Sequence, residues 1–406
     1  MRALACLAAP SLPSQLVRSQ DPERYWTSLR RSQFLLADDF AYLNTGTLGV
    51  MPKSVLQRTD ESLLRSARIG FGAIDRWGAP LEPGNARRFS ELRASLARTF
   101  NCGFDEITLT HNTTEGLAMV ANGLDLSPED EVLITDQEHP ANIDCWQNRL
   151  GGAPRLRRVV IPLPPPENAD LVERFSQAIG PRTRVVSFAA ITTRTGLRLP
   201  VAEIVAMARR RGLVTVVDGA HVPGQIKLDL DALKCDFLAA SPHKWMFAPA
   251  GSGLLYGRKD RLQHLAIRLH RFPSSGLSPA DVLMRVGTNS GAIFDGYGAA
   301  LEFYNALGPQ AIHTRICELA QRVRAAAQRL KDVVMYTPDR TDAYAGMVAF
   351  AIEGVEFATL APRLRSHGIR VEVGHGMRVS THIHTRPQDI DRLFEVINDG
   401  MRTPRR

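Results

Sequence analysis

The chain has 406 residues, 44% of them hydrophobic and 23% charged, an ordinary balance for a globular protein with a large domain and a smaller one. Its net charge of +8 lies on arginines scattered through helical segments, with no basic run interleaved with aromatics. Nucleic acid is therefore not an expected partner, and a phosphate-bearing cofactor or anionic substrate suits the balance better.

The N-terminal MRALACLAAPSLPSQLVRS is faintly like an export signal but carries too short an apolar core. Arg30-Arg31-Ser32-Gln33-Phe34 resembles a twin-arginine signal, yet polar ADDF follows. No stretch approaches the length of a membrane span. The five cysteines, Cys6, Cys102, Cys145, Cys235 and Cys317, are dispersed and never form CxxC. That argues for a reducing compartment and against disulfides or zinc. The expected location is cytoplasmic, with a truncated export signal left open.

From residue 21, DPERYWTSLRRSQFLL predicts an amphipathic helix with Asp21 as cap and Pro22 in its first turn. AYLNTGTLGV is a short extended piece in which Asn44, Gly46 and Gly49 line a pocket or simply form turns. Two helices follow, after Pro52 and across ARRFSELRASLARTF. The pattern then alternates. Strands are expected in EITLT, EVLITD, RLRRVVIPL, RTRVVSFAAI, LVTVVD, DFLAAS and GLLYG, with helices between most of them. Their apolar runs are continuous and β-branched, as in a mostly parallel sheet covered on both faces. Past residue 295 come two long helices, a strand in GMVAFAI, a helix from Phe357, strands in IRVEV and MRVSTHI, and a closing helix from Pro387. The expected division is an N-terminal segment (1–40), a large α/β domain (41–295) and a smaller α+β domain (296–406).

Chemistry-bearing residues gather where strands end, which is where open α/β sheets bind ligands. LVTVVD ends in Asp218, and DFLAASPHK ends in Lys244. Lys244 is one of only six lysines and sits in an apolar segment. A desolvated lysine is a free amine fit for a Schiff base; a lysine snorkelling from a strand end is the plainer reading. HNTTEG opens a helix with Thr113 and Thr114, either a phosphate cradle or ordinary caps. His139 in EHPAN is a turn residue or a ring that lies over an aromatic cofactor. His221 follows Asp218 by three residues, while Ser241 and His243 precede Lys244 and add donors. The cofactor whose needs match an acid, an amine, phosphate donors and a stacking ring is pyridoxal 5'-phosphate.

TxxxNTTEG, DQEHPAN, VVDGAH, AASPHKW and VGTNS together resemble the class V aminotransferase family of fold-type I pyridoxal phosphate enzymes, nearest its isopenicillin N epimerase-like subgroup. The resemblance covers nearly the whole chain. It implies the aspartate aminotransferase-like fold. Lys244 would bind the cofactor aldehyde, Asp218 would pair with the ring nitrogen, and His221 would approach the phenolic oxygen. His139 would stack on the ring, and Thr113, Thr114, Ser241 and His243 would hold the phosphate. Thr288 would serve the neighbouring subunit's phosphate in a homodimer with shared sites. Arg378 would bind the carboxylate of an amino-acid substrate, with Asn44 and Thr193 nearby. Aminotransferase or epimerase chemistry is expected, with C–S β-elimination and a non-catalytic cofactor-binding protein as alternatives. PRLRSHGIRVEVGHGMR holds no cysteine, so a desulfurase is not expected, and Thr193 stands where many relatives have asparagine. His375, His382 and His384 form a C-terminal group, expected at the substrate mouth near Arg378 rather than around a metal.

Overall fold

The computed structural model describes residues 20–69, 73–74, 85–266, 276–287, 289–374 and 376–402. Its main sheet has seven strands: β1 (Ile107–Thr110), β2 (Glu131–Thr135), β3 (Arg155–Val159), β4 (Thr183–Ala189), β5 (Val214–Asp218), β6 (Phe237–Ala240) and β7 (Gly253–Gly257). They lie in the order β1-β7-β6-β5-β4-β2-β3, and only β7 runs antiparallel to its neighbours. Val and Leu dominate because the central strands are buried on both faces; Val185, Val186, Val216, Val217 and Leu238 are all inaccessible. Each such side chain contributes roughly 1.5–3 kcal/mol of burial. The edge strand β3 is the exception. Its Arg155, Arg157 and Arg158 are exposed, because one long edge faces water and charge discourages further pairing.

The two strands expected to be neighbours are neighbours: Val216 pairs with Phe237, Val217 with Leu238 and Asp218 with Ala239, in parallel. Asp218 and the Ser241–Lys244 turn therefore leave the sheet side by side. Helices α1 (Thr113–Gly123) and α2 (Pro140–Gln147) start just after β1 and β2, so their N-termini face the same edge.

A second, antiparallel sheet contains β8 (Val333–Met335), β9 (Met347–Ile352), β10 (Glu372–Val373) and β11 (Met377–Ser380), in the order β8-β9-β11-β10. The N-terminal piece feeds directly into it. Leu43 donates its N–H to the Arg370 carbonyl at 2.8 Å, Ser380 donates to the Leu43 carbonyl at 2.8 Å, and Asn44 bridges Ser380. Ala41 and Leu43 thus pack in the cluster of the second sheet, while Phe294 to Leu307 pack with the main sheet, so the two cores cross the sequence division expected at residue 295. Among the described residues, no helix is long and apolar enough to cross a membrane.

Two glycines hold the Lys244 turn. Gly49 donates its N–H to the His243 carbonyl at 2.8 Å, and a Cβ there would stand 2.0 Å from the Lys244 carbonyl oxygen. Gly224 has φ +89°, and its Cβ would stand 2.1 Å from the Trp245 carbonyl oxygen. Both obstacles are backbone and cannot swing aside. Gly224→Ala is expected to lower unfolding free energy by about 2–4 kcal/mol, combining left-handed strain with overlap. Urea denaturation checks this; a loss within error of zero would show that the turn yields.

Candidate active site

The Lys244 side chain is half-buried at the end of the turn that follows β6. Removal from water lowers its amine pKa to about 8; Asp218 opposes the shift and Arg378 adds to it. Asp218 is buried with Oδ1 accepting from the Ala220 N–H at 2.9 Å. Burial raises its carboxyl pKa, against the pull of that bond, of Lys244 and of His139. Asp218 and Lys244 follow adjacent parallel strands and each shifts the other, so the acid and the amine share one crevice.

His139 caps α2, with Nδ1 accepting from the Ala141 N–H at 3.1 Å. Desolvation lowers its pKa, Asp218 opposes that, and Lys244 and Arg378 reinforce it. At the start of α1, the Thr113 N–H donates to Ser241 Oγ at 3.0 Å and the two hydroxyls lie 2.8 Å apart. Thr114 is exposed beside them. This joins the helix N-terminus to the Lys244 turn and gathers hydroxyls where backbone N–H groups favour an anion. His243 is oriented away, with Nδ1 on the Ser252 carbonyl at 3.0 Å. As a neutral ring it presents an acceptor at Nε2, so only its protonated form suits a phosphate.

Arg378, on β11, is half-buried, and both of its terminal nitrogens donate to neutral partners. Nη1 donates to the Thr193 carbonyl at 3.0 Å and to Thr193 Oγ1 at 2.9 Å; Nη2 donates to Asn44 Oδ1 at 3.2 Å and Thr47 Oγ1 at 2.9 Å. Its Nε is buried without a partner among the described residues. Glu372 is reached only through intermediaries, lying 3.2 Å from Asn44 Nδ2 and 3.1 Å from Thr47 Oγ1. A cleft of about 580 Å³ opens beside Arg378, lined by Gln137, Thr193, Arg194, Tyr336 and Glu372 among others.

His382 and His384 are not at the substrate mouth. The chain turns at Ile383 instead of continuing as a strand, and both rings are fully buried behind Trp245. They stack on each other with centroids 5.6 Å apart, and Phe247 and Phe34 pack against them. Burial lowers the His382 pKa to about 4, so that ring is neutral core. Thr288 and His375 lie outside the described residues. No group of three or more His, Cys, Asp or Glu poised for a metal occurs among the described residues.

Sequence reasoning misses three residues of the site. Thr47 holds Arg378. Trp245 donates its indole N–H to His221 Nδ1 at 3.1 Å. Glu138 is buried behind His139, held by Thr135 Oγ1 at 2.5 Å and Asn142 Nδ2 at 2.8 Å. Burial raises its carboxyl to about 7, with those two bonds opposing and Asp218 adding to the shift. The available signal for Glu138 was an acid, one of two with Asp136, between a buried strand and a helix cap.

The Aminotransferase class-V family profile matches residues 44–393. The chain is 31% identical to the isopenicillin N epimerase of Streptomyces clavuligerus, covering 91% of this chain and 96% of that one. It is 30% identical to a probable cysteine desulfurase of Pseudomonas putida, covering 89% and 93%. Among solved structures it is similar to a C-DES variant with glycine covalently linked to its PLP cofactor, at a TM-score of 0.80 and 26% identity over 91% of this chain and 99% of that one. The strand ends, the desolvated lysine and these likenesses agree: the chain belongs to the class-V aminotransferase family of pyridoxal-phosphate-dependent enzymes.

Proposed function

We propose that the chain acts at the α-carbon of an amino acid, or of a small molecule containing one, moving the α-proton in epimerisation or transamination. One observation carries this reading. Arg378 presents an uncancelled guanidinium on neutral acceptors, in the crevice where Lys244 is a weakened base. A guanidinium suits a carboxylate in two-point contact, which would here replace neutral acceptors such as Asn44 Oδ1 and Thr47 Oγ1. The adjoining cleft of about 580 Å³ has room for a side chain.

The residues fit pyridoxal phosphate. Thr113, Thr114, Ser241 and the N-terminus of α1 would hold its phosphate, His139 would cover its ring, and Lys244 would bind its aldehyde. Buried Asp218, with one oxygen already taken by Ala220, would hold the proton on the ring nitrogen. When bound, the cofactor supplies an electron sink for the charge left at the α-carbon. The chain's own residues do the remaining work. Lys244, once released by the substrate amine, would take the α-proton from one face, and a base with a pKa of about 8 is suited to that near neutrality. Inversion needs the proton returned from the opposite face by a second donor, and transamination needs it delivered by Lys244 to an atom other than the α-carbon. Arg378 fixes the carboxylate, and with Asn44 and Thr193 behind it the α-carbon is oriented toward Lys244.

A desulfurase thiol is not part of this reading. Residues 362–378 contain no cysteine. Burial raises the thiols of Cys102, Cys145, Cys235 and Cys317, the last to about 11, so none is a ready thiolate. C–S β-elimination is the second reading, favoured by likeness to the cystine C–S lyase C-DES in complex with cysteine persulfide, at a TM-score of 0.78 and 25% identity over 88% of this chain. The family resemblance supports a homodimer with Thr288 serving the neighbour's site; sedimentation as a monomer would remove that part.

Capture of the cofactor is expected to depend on the free Lys244 amine. Its rate should rise roughly tenfold per pH unit below the lysine pKa and level off above it, that is, above about 8. Stopped-flow absorbance measures it, and Lys244→Ala is expected to retain no cofactor after borohydride. A rate still climbing past pH 10 would mean an ordinary exposed lysine.

The reaction is separated by incubating the loaded enzyme with amino-acid panels in deuterated water. Exchange at the α-carbon without keto acid marks an epimerase, keto acid a transaminase, and ammonia with pyruvate a C–S lyase. With the substrate found, Arg378→Lys is expected to raise KM roughly 10- to 100-fold through the lost two-point contact while leaving the cofactor band intact. No exchange with any amino acid would return the chain to a cofactor-binding role.

A further inference from the structure

Trp245 follows Lys244 directly and is fully buried. Its backbone and ring are both anchored. The Trp245 carbonyl accepts from His382 Nε2 at 2.9 Å, and the indole stacks on the His382 ring with centroids 5.7 Å apart at 28°. His382 is itself set, because the Ile383 N–H donates to its Nδ1 at 2.7 Å, leaving the ring proton on Nε2 for the carbonyl. The only polar atom of the indole is thereby aimed at one target, Nδ1 of His221, at 3.1 Å.

An indole N–H donates and never accepts. His221 Nδ1 must therefore be the acceptor, and a neutral His221 must carry its proton on Nε2. Full burial first, and then the nearby positive charges of Lys244 and Arg378, keep the ring neutral. The backbone of His221 is held as well, its carbonyl accepting from Gln225 Nε2 at 2.7 Å. His221 Nε2 has no hydrogen-bond partner among the described residues. His221 lies three residues past Asp218 on the turn that leaves β5, so its free N–H stands at the strand end that carries the site.

We propose that Trp245 is a positioning residue whose indole N–H locks His221 as the Nε2–H tautomer, making His221 a hydrogen-bond donor to the phenolic oxygen of the bound cofactor. The proposal rests on the reading of His221 beside that oxygen. Donation stabilises negative charge there; without it the oxygen becomes more basic and holds the proton it shares with the Lys244 nitrogen more tightly. A Trp245 that only filled space would affect stability and nothing else.

The test uses the full-length, cofactor-loaded chain labelled with 15N-histidine, with His221→Asn to assign the signals. Wild type is expected to show His221 protonated at Nε2 and bare at Nδ1. Trp245→Phe keeps an aromatic ring and removes the donor. It is expected to release the tautomer and to lower the acid dissociation constant of the Lys244-bound cofactor roughly three- to tenfold, read from its absorbance against pH. A wild-type His221 protonated at Nδ1 overturns the proposal, and this measurement stands even if Trp245→Phe does not fold. An unchanged tautomer in the variant also overturns it, as does a released tautomer with an unmoved absorbance titration. If the chain takes up no cofactor, the cofactor reading fails by itself, and the tautomer comparison on the same chain still decides the role of Trp245.

Discussion

Keeping a lysine amine out of water without neutralising it fully is the constraint on which this fold turns. Asp218 and Lys244 descend from adjacent parallel strands, and register alone brings an acid close enough to oppose the cost of desolvation. If Asp218 dominated, Lys244 would remain an ammonium and a poor nucleophile. Burial wins, with Arg378 on the same side, and the amine ends at about 8. The glycines at 49 and 224 belong to the same solution, since they let two other segments press against the turn and keep it dry.

The treatment of Arg378 follows a related logic. Buried cations are commonly paired with carboxylates, yet here the guanidinium N–H groups go to a carbonyl, an amide oxygen and two hydroxyls. Those acceptors satisfy geometry and leave the charge largely intact. Glu372 stands one residue behind, bonded to the same Asn44 and Thr47, so its field moderates the cation without occupying the face a substrate carboxylate needs. Desolvation lowers the Arg378 pKa and Glu372 offsets part of that.

How much of this was legible follows from the range of each interaction. Strand runs such as LVTVVD and FLAA declare themselves because both faces are buried, and a strand end reveals its site residues because motif and geometry coincide within a few positions. Asp218, Lys244, His139 and Thr113 were read this way. Thr47 was not, because it meets Arg378 across 331 positions and nothing local distinguishes it from a turn threonine. His382 and His384 show the opposite failure. MRVSTHI was expected to be a strand and these histidines to reach the substrate mouth, but the His382 N–H bonds to Thr385 Oγ1 at 3.0 Å and closes a turn that packs both imidazoles into an aromatic core.

Glu138 shows how far the electrostatics of the crevice extend beyond the residues that a motif names. Two buried carboxyls that sense each other cannot both ionise without cost, and each has its pKa raised by burial. They differ in support. Glu138 is held by a threonine hydroxyl and an asparagine amide, and that asparagine is in turn fixed by Ser187 Oγ at 2.7 Å. Asp218 has one backbone N–H and the nearby Lys244 and His139. A positive charge arriving beside Asp218 favours its ionised form, and that negative charge adds to the burial that raises the Glu138 carboxyl to about 7. Removing Glu138 would take away the carboxyl that Asp218 pushes up and would leave the buried Asn142 amide and Thr135 hydroxyl without their acceptor.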